Sequence, residues 1–199
     1  MKVLIVGATG TIGKLVVSEL KSQHEIIEAS KSNSKYHVDI THENSIRELF
    51  EKVGKVDAII SVAGNVHFGT VKEMTATQFN IGLQDKLLGQ INLALIGQHY
   101  VNDGGSITLT SGIVSHDPIY YGSNVTVVNA GVDAFAVGAA IELERGVRIN
   151  TVSPSVLEES WDAYGPYFAG FIPVPGANVA KAYRKSVDGR QTGQTYRVW

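Results

Sequence analysis

The first twenty residues constrain this chain more than any other stretch. Lys2-Val-Leu-Ile-Val6 reads as a buried strand, Gly7-Ala-Thr-Gly-Thr-Ile-Gly13 sets three glycines three residues apart, and Lys14 to Leu20 continues at helical spacing. A strand that turns through such glycines into a helix makes a phosphate-binding turn. The first glycine permits the tight turn, the second lets the backbone approach a pyrophosphate, and the third brings helix and strand together. The new helix then offers free N–H groups and the positive end of its dipole to the anion. A GxxGxxG spacing is informative only between a strand and a helix, and that context is present. The stretch predicts a dinucleotide site built on Gly7, Gly10 and Gly13.

The remaining elements alternate. Strands are expected at 24–29, 36–38, 55–60, 106–110, 147–152 and 194–199. Between them lie helical patterns: one capped by Thr41 with Ile46, Leu49, Phe50 and Val53 on its apolar stripe, and one from about Thr77 towards Tyr100. A third starts near Asn124 and runs to Glu144, and the last spans Asn178 to Lys185. Val125-Thr-Val-Val128 has local strand preference, but the alanine-rich stripe behind it reads as helix. Asn102-Asp-Gly-Gly105 reads as a turn, and residues 155–175 as an irregular segment rich in aromatics, glycine and proline. Alternation of this kind predicts an α/β fold: one doubly wound domain over residues 1–199, a parallel seven-stranded sheet flanked by helices on both faces. Right-handed crossovers set the glycine turn at the carboxyl edge of that sheet, where ligands bind.

Composition narrows the function. A formal net charge of −2 with no basic run argues against nucleic acid as a partner. The absence of cysteine removes disulfides, thiolate catalysis and cysteine-ligated metal, and suits the cytoplasm. Met1 leads straight into the first strand, leaving no room for a signal peptide, and no apolar run approaches the ~20 residues needed to span a bilayer. The expectation is a cytoplasmic protein with no membrane partner. No set of carboxylates and histidines has metal-ligand spacing, so no metal is predicted.

With these segments in place, the chain resembles the short-chain dehydrogenase/reductase family along its whole length. The landmarks, in order, are Gly7 to Gly13, Val38-Asp-Ile40, Val62-Ala-Gly64, Ser111, Asn150-Thr-Val-Ser-Pro154, Val179-Ala-Lys181 and Thr192-Gly-Gln194. The glycine spacing is closer to the family's atypical and extended members than to its commonest subgroup, and the chain is shorter than most. The resemblance implies that Thr9, Thr11 and Ile12 line the pyrophosphate turn, that Asp39 and Ile40 contact the adenine, and that Ala63 and Gly64 pass beside its ribose. It also assigns Asn129 and Pro154 to the cofactor site.

The family's chemistry uses a tyrosine that protonates the substrate carbonyl, a lysine four residues later, a serine that orients the carbonyl, and an asparagine in the preceding long helix. Ser111 fits the serine. The tyrosine position falls on Val125, the lysine position on Asn129 and the asparagine position on Lys86. Valine donates no proton. The residues that offer replacement are Tyr121, beside Tyr120 on the loop that borders the nicotinamide, and Lys86, which can lower a phenol's pKa or stabilise an oxyanion. His67 and His116 stand near the expected edges of the site.

Cofactor choice is read at the end of the second strand, where NAD-binding folds place an acidic residue on the ribose hydroxyls. Here Glu28 comes too early, and Ser30, Lys31 and Ser32 offer hydroxyls and one cation, which suits a 2′-phosphate. NADP is therefore expected over NAD. The aromatics of 155–175 are expected to cover a small-molecule substrate, or to bury a subunit interface, and the resemblance implies a homo-oligomer, dimer or tetramer. Two functions fit the residues: an NAD(P)(H)-dependent oxidoreductase with a non-standard proton donor acting on a small carbonyl or alcohol, or a catalytically inactive dinucleotide-binding sensor or regulatory protein.

Overall fold

Short apolar runs become the central strands here because both of their faces are buried. The structure, a computed structural model, describes residues 1–199. Seven strands, β1 (Lys2–Val6), β2 (Glu25–Ser30), β3 (Tyr36–His37), β4 (Val56–Ser61), β5 (Val101–Thr110), β6 (Arg148–Pro154) and β7 (Thr195–Val198), form one sheet in the order β3-β2-β1-β4-β5-β6-β7. Every pairing is parallel. The expected seven-stranded parallel sheet is the observed one.

Alternate residues of β1 serve opposite layers, as the pleat requires. Leu4 and Val6 join a core with Ile46, Leu49 and Phe50 of α2 (Glu43–Val53), Leu93 of α4 (Gly89–Gly97) and Val132 of α5 (Ser123–Ala139). Val3 and Ile5 face the other way, onto Val16 and Leu20 of α1 (Thr11–Leu20) and Val179, Tyr183 and Val187 of α7 (Gly176–Asp188). Helices thus cover both faces. No helix is long and apolar enough to cross a membrane.

Several local expectations change. Thr41 does not cap α2: its hydroxyl bonds Asp39 Oδ1 at 2.7 Å, and His42 holds the cap position without a side-chain bond. The turn expected at Asn102–Gly105 lies inside β5, as an excursion between the pairings Val56↔Val101 and Ala58↔Ser106. The long helix expected from Thr77 to Tyr100 is divided into α3 (Ala76–Gly82), a wider π-helical turn (Leu83–Leu88) and α4. Val125–Val128 is helical as expected, but α5 ends at Ala139 rather than Glu144. Within 155–175 the chain forms only single turns, including α6 (Trp161–Tyr164), above a neck where Leu157 bridges Val174.

Candidate functional site

The chain leaves β1 and β4 towards opposite sides of the sheet, which opens a crevice at their carboxyl ends. The glycine turn fills that position. Gly7 has φ 91°, and a Cβ there would stand 2.8–2.9 Å from the backbone of Val62 and Ala63. At Gly13 a Cβ would run into the Gly7 carbonyl and the Ala8 backbone, so α1 approaches β1 only because residue 13 has none. Gly10 precedes α1 in extended conformation, and no side chain caps the helix. Thr11 is exposed, Thr9 and Ile12 half-buried, and the first-turn N–H groups point out unclaimed by any side chain.

Beside this turn Gly7, Ser30, Lys31, Asp39, Ile40, Ala63, Gly64 and Asp85 line a cleft of about 90 Å³. Ser30 is buried and bonded to the Ser32 carbonyl, 3.0 Å from the Ser34 hydroxyl. Lys31 Nζ pairs with Asp39 Oδ2 at 2.7 Å. Burial pushes the Asp39 carboxyl up, but its bonds from Lys31 and Thr41 outweigh that and hold it well below the usual carboxylate range. The same bond to Asp39 raises Lys31. Ile40 turns its side chain onto α4, where Gly89 leaves room for it.

A second cluster gathers at the end of β5. Ser111 donates its N–H to the Val152 carbonyl (3.0 Å), and its Oγ is buried with no partner. Lys86, on the π-helical turn, donates from Nζ to the Ser111 carbonyl at 3.3 Å. Burial lowers the Lys86 pKa to about 8, an effect that the Asp133 carboxylate opposes. Lys86 is backed by Gly64 at φ 130°, where a Cβ would lie 2.7–2.8 Å from the lysine's Cα, Cβ and Cγ. Across the serine, Asn129 of α5 is buried with Oδ1 unpartnered, and its amide nitrogen lies against Gly112. Pro154, also buried, ends β6 opposite Val198.

The structure therefore brings Ser111, Lys86 and Asn129 together. Tyr121 stands apart from them by hydrogen bonding: it is exposed, its ring lies 4.1 Å from Tyr120 and edge-on to Tyr167 at 6.3 Å. Its φ of 66° is a strained conformation for such a residue, and the hydrogen bond with Tyr120 raises its pKa. Val125 is buried in an apolar cluster with Ile113, Val114, Val156 and Phe168. His67 offers only its N–H, to Asn124 Oδ1 at 3.0 Å, and His116 packs on Trp199 at 5.3 Å.

Two residues near the site were not singled out in the sequence. Asn124 ties α5 to the His67 N–H and, through its amide, to the Phe79 carbonyl at 2.6 Å. Asp133 accepts from the hydroxyls of Thr151 (2.7 Å), Ser115 (3.2 Å) and Thr195 (3.4 Å). The available signal was spacing: Asp133 lies one helical turn after Asn129.

Several known proteins resemble this chain. Residues 7–169 match the family profile described as enoyl-(acyl carrier protein) reductase. The protein lin1944 from Listeria innocua is 50% identical, with a TM-score of 0.99 over 100% of both chains. A small-chain dehydrogenase solved in complex with NADPH is 26% identical, with a TM-score of 0.89 over 100% of this chain and 96% of its own. Versicolorin reductase 1 of Dothistroma septosporum is 29% identical over 134 residues, covering 63% of this chain and 48% of that protein. The chain spans about half the length of the curated relatives it matches. With a profile match over most of its length, on a parallel sheet with a glycine turn at its switch point, the chain belongs to the short-chain dehydrogenase/reductase family.

Proposed function

We propose that this chain is an NADP(H)-dependent oxidoreductase acting on a small carbonyl or alcohol, with its proton chemistry moved away from the family's tyrosine position. The observation that carries the reading is the cluster at the end of β5: a buried, partnerless Ser111 hydroxyl, a buried, partnerless Asn129 carbonyl oxygen, and the Lys86 ammonium between strand and helix. Buried polar atoms without partners are uncommon, and two of them beside one lysine suit a site that a ligand completes. The glycine turn and uncapped α1 suit a pyrophosphate, and the cation and hydroxyls at Ser30, Lys31 and Ser32 suit a 2′-phosphate; a family neighbour holds NADPH.

A nicotinamide dinucleotide supplies the hydride when bound. The protein's part is to bind and orient the substrate and to move the proton. Ser111 orients the carbonyl oxygen, Asn129 meets the nicotinamide ribose from the family's lysine position, and Lys86 delivers positive charge and a proton to that oxygen. Tyr121 is the alternative donor, brought in by movement of its strained loop. The half-exposed Trp161, Tyr164 and Tyr167 on 155–175 form the substrate cover. Leu95 of α4 is exposed at an apolar cleft of about 290 Å³ that Phe135, Ala139 and Leu143 also line, the face we assign to a second copy of the chain.

The rival reading, a dinucleotide sensor without turnover, draws on Val125, whose apolar cluster fills the usual tyrosine position. Oxidation of NADPH against a panel of aldehydes, ketones and quinones separates the two. Turnover is expected that falls as pH rises through about 8, the Lys86 value, and that drops in both Ser111→Ala and Lys86→Met. Activity that survives these changes and Tyr121→Phe alike removes the assigned roles.

A further inference from the structure

The cleft beside the glycine turn holds one cation and two carboxylates: Lys31, Asp39 and Asp85. The cation is already engaged. Lys31 Nζ lies 2.7 Å from Asp39 Oδ2, with the lysine side chain 70% exposed and the aspartate 17% exposed. The two partners differ in freedom. Asp39 is fixed: its Oδ1 accepts from the Thr41 N–H (3.0 Å) and hydroxyl (2.7 Å), and its own N–H donates to Ser45 Oγ (3.0 Å). His42 Nδ1 stands 3.6 Å from Asp39 Oδ2. Asp85 is occupied by the Asn65 amide at 2.7 Å. Lys31, on a long solvated side chain, is the member able to move.

Resting on the dinucleotide reading above, we propose that Asp39 is a specificity-determining residue: it holds Lys31 as an electrostatic latch, and a 2′-phosphate must win the lysine away from it. A cofactor with plain ribose hydroxyls leaves the pair intact. A phosphorylated one must break it, and it gains only the difference between two charge-assisted contacts. The latch therefore narrows the preference for NADP(H) over NAD(H) that Lys31 alone would confer.

Calorimetric titration of the full chain with NADPH and NADH, at one low ionic strength, tests this. Asp39→Asn keeps an oxygen acceptor for Thr41 and removes the charge. The ratio of NADPH to NADH affinity should rise about fivefold, the size of a partly exposed ion pair, whatever change the adenine contact adds to both. That rise should vanish in the double variant with Lys31→Ala, because the latch acts only through the lysine. A rise that persists without Lys31 means direct repulsion by the carboxylate and overturns the latch, as does an unchanged ratio in Asp39→Asn. If Asp39→Asn fails to fold, the wild-type Lys31 Cε resonance decides: it should move on adding NADPH and stay with NADH, and equal movement with both overturns the proposal. Wild-type protein that binds neither cofactor overturns the dinucleotide reading itself, a separate result.

Discussion

Ser111 holds an unpartnered hydroxyl and Lys86 a desolvated ammonium, and each gives opposite signs for stability and activity. The Ser111 Oγ is buried without a partner. Leaving a buried donor unpaired costs about 1–3 kcal/mol, so Ser111→Ala should melt at the same temperature or higher while turnover falls about a hundredfold, on the scale of losing one oriented donor. Thermal melts beside NADPH oxidation check both signs, and a destabilised variant would show that the hydroxyl has a partner after all. Lys86 is protonated in the unfolded chain up to the ordinary lysine value of about 10.4, but in the native protein burial brings its pKa to about 8. Between those values the unfolded state holds more protons, so native stability rises with pH. Lys86→Met removes that slope. Urea unfolding should find the variant more stable than wild type at pH 7, with the gap closing above about pH 8; a gap independent of pH would mean that the ammonium is not desolvated.

Among the elements, those legible in the sequence are the ones whose physics is local. β1 and its glycine turn were readable because a buried run, a positive-φ glycine and a Cβ-free contact at Gly13 all leave sequence marks. α5 was readable despite its valines, since Val125, Val128 and Val132 fall on one buried stripe and tertiary burial overrides strand preference. The π-helical turn at Leu83–Leu88 left no mark, because one extra residue per turn is set by what packs around it. The clearest of those contacts is Gly64 against the Lys86 stem. That contact is testable. Gly64→Ala forces a left-handed φ of 130° and a Cβ within 2.8 Å of Lys86, and should cost about 2 kcal/mol or more. A variant as stable as wild type would mean that the turn gives way freely. The Asn102–Gly105 segment was misread because its turn residues are drawn into β5, where Gly105 lies against the Asp57 carbonyl with no room for a side chain. The site was legible as positions, Ser111 above all, but the unpartnered atoms and the Lys31–Asp39 pair exist only once α5, β5 and the 30–41 segment are folded together.

For the whole molecule, the candidate site and the face proposed for a second copy are different surfaces. The crevice beside the glycine turn and the Ser111 cluster lie at the carboxyl ends of β1, β4 and β5, whereas Leu95 and Leu143 line the outer α4–α5 cleft. Leu95 is 48% exposed, so a charge there can reach solvent. Light scattering should find wild type as a dimer or larger and Leu95→Glu as a monomer that still binds NADPH. A monomeric wild type would reassign that face. The uncapped first turn of α1 has a consequence of another kind. Its N–H groups lack a protein acceptor, so an anion seated on them stabilises the native state and nothing comparable in the unfolded chain. The cofactor then reports on itself as heat resistance. At a hundred times its dissociation constant a bound ligand adds about 2.7 kcal/mol, so a melting curve can rank NADPH, NADH and bare pyrophosphate before any substrate has been found.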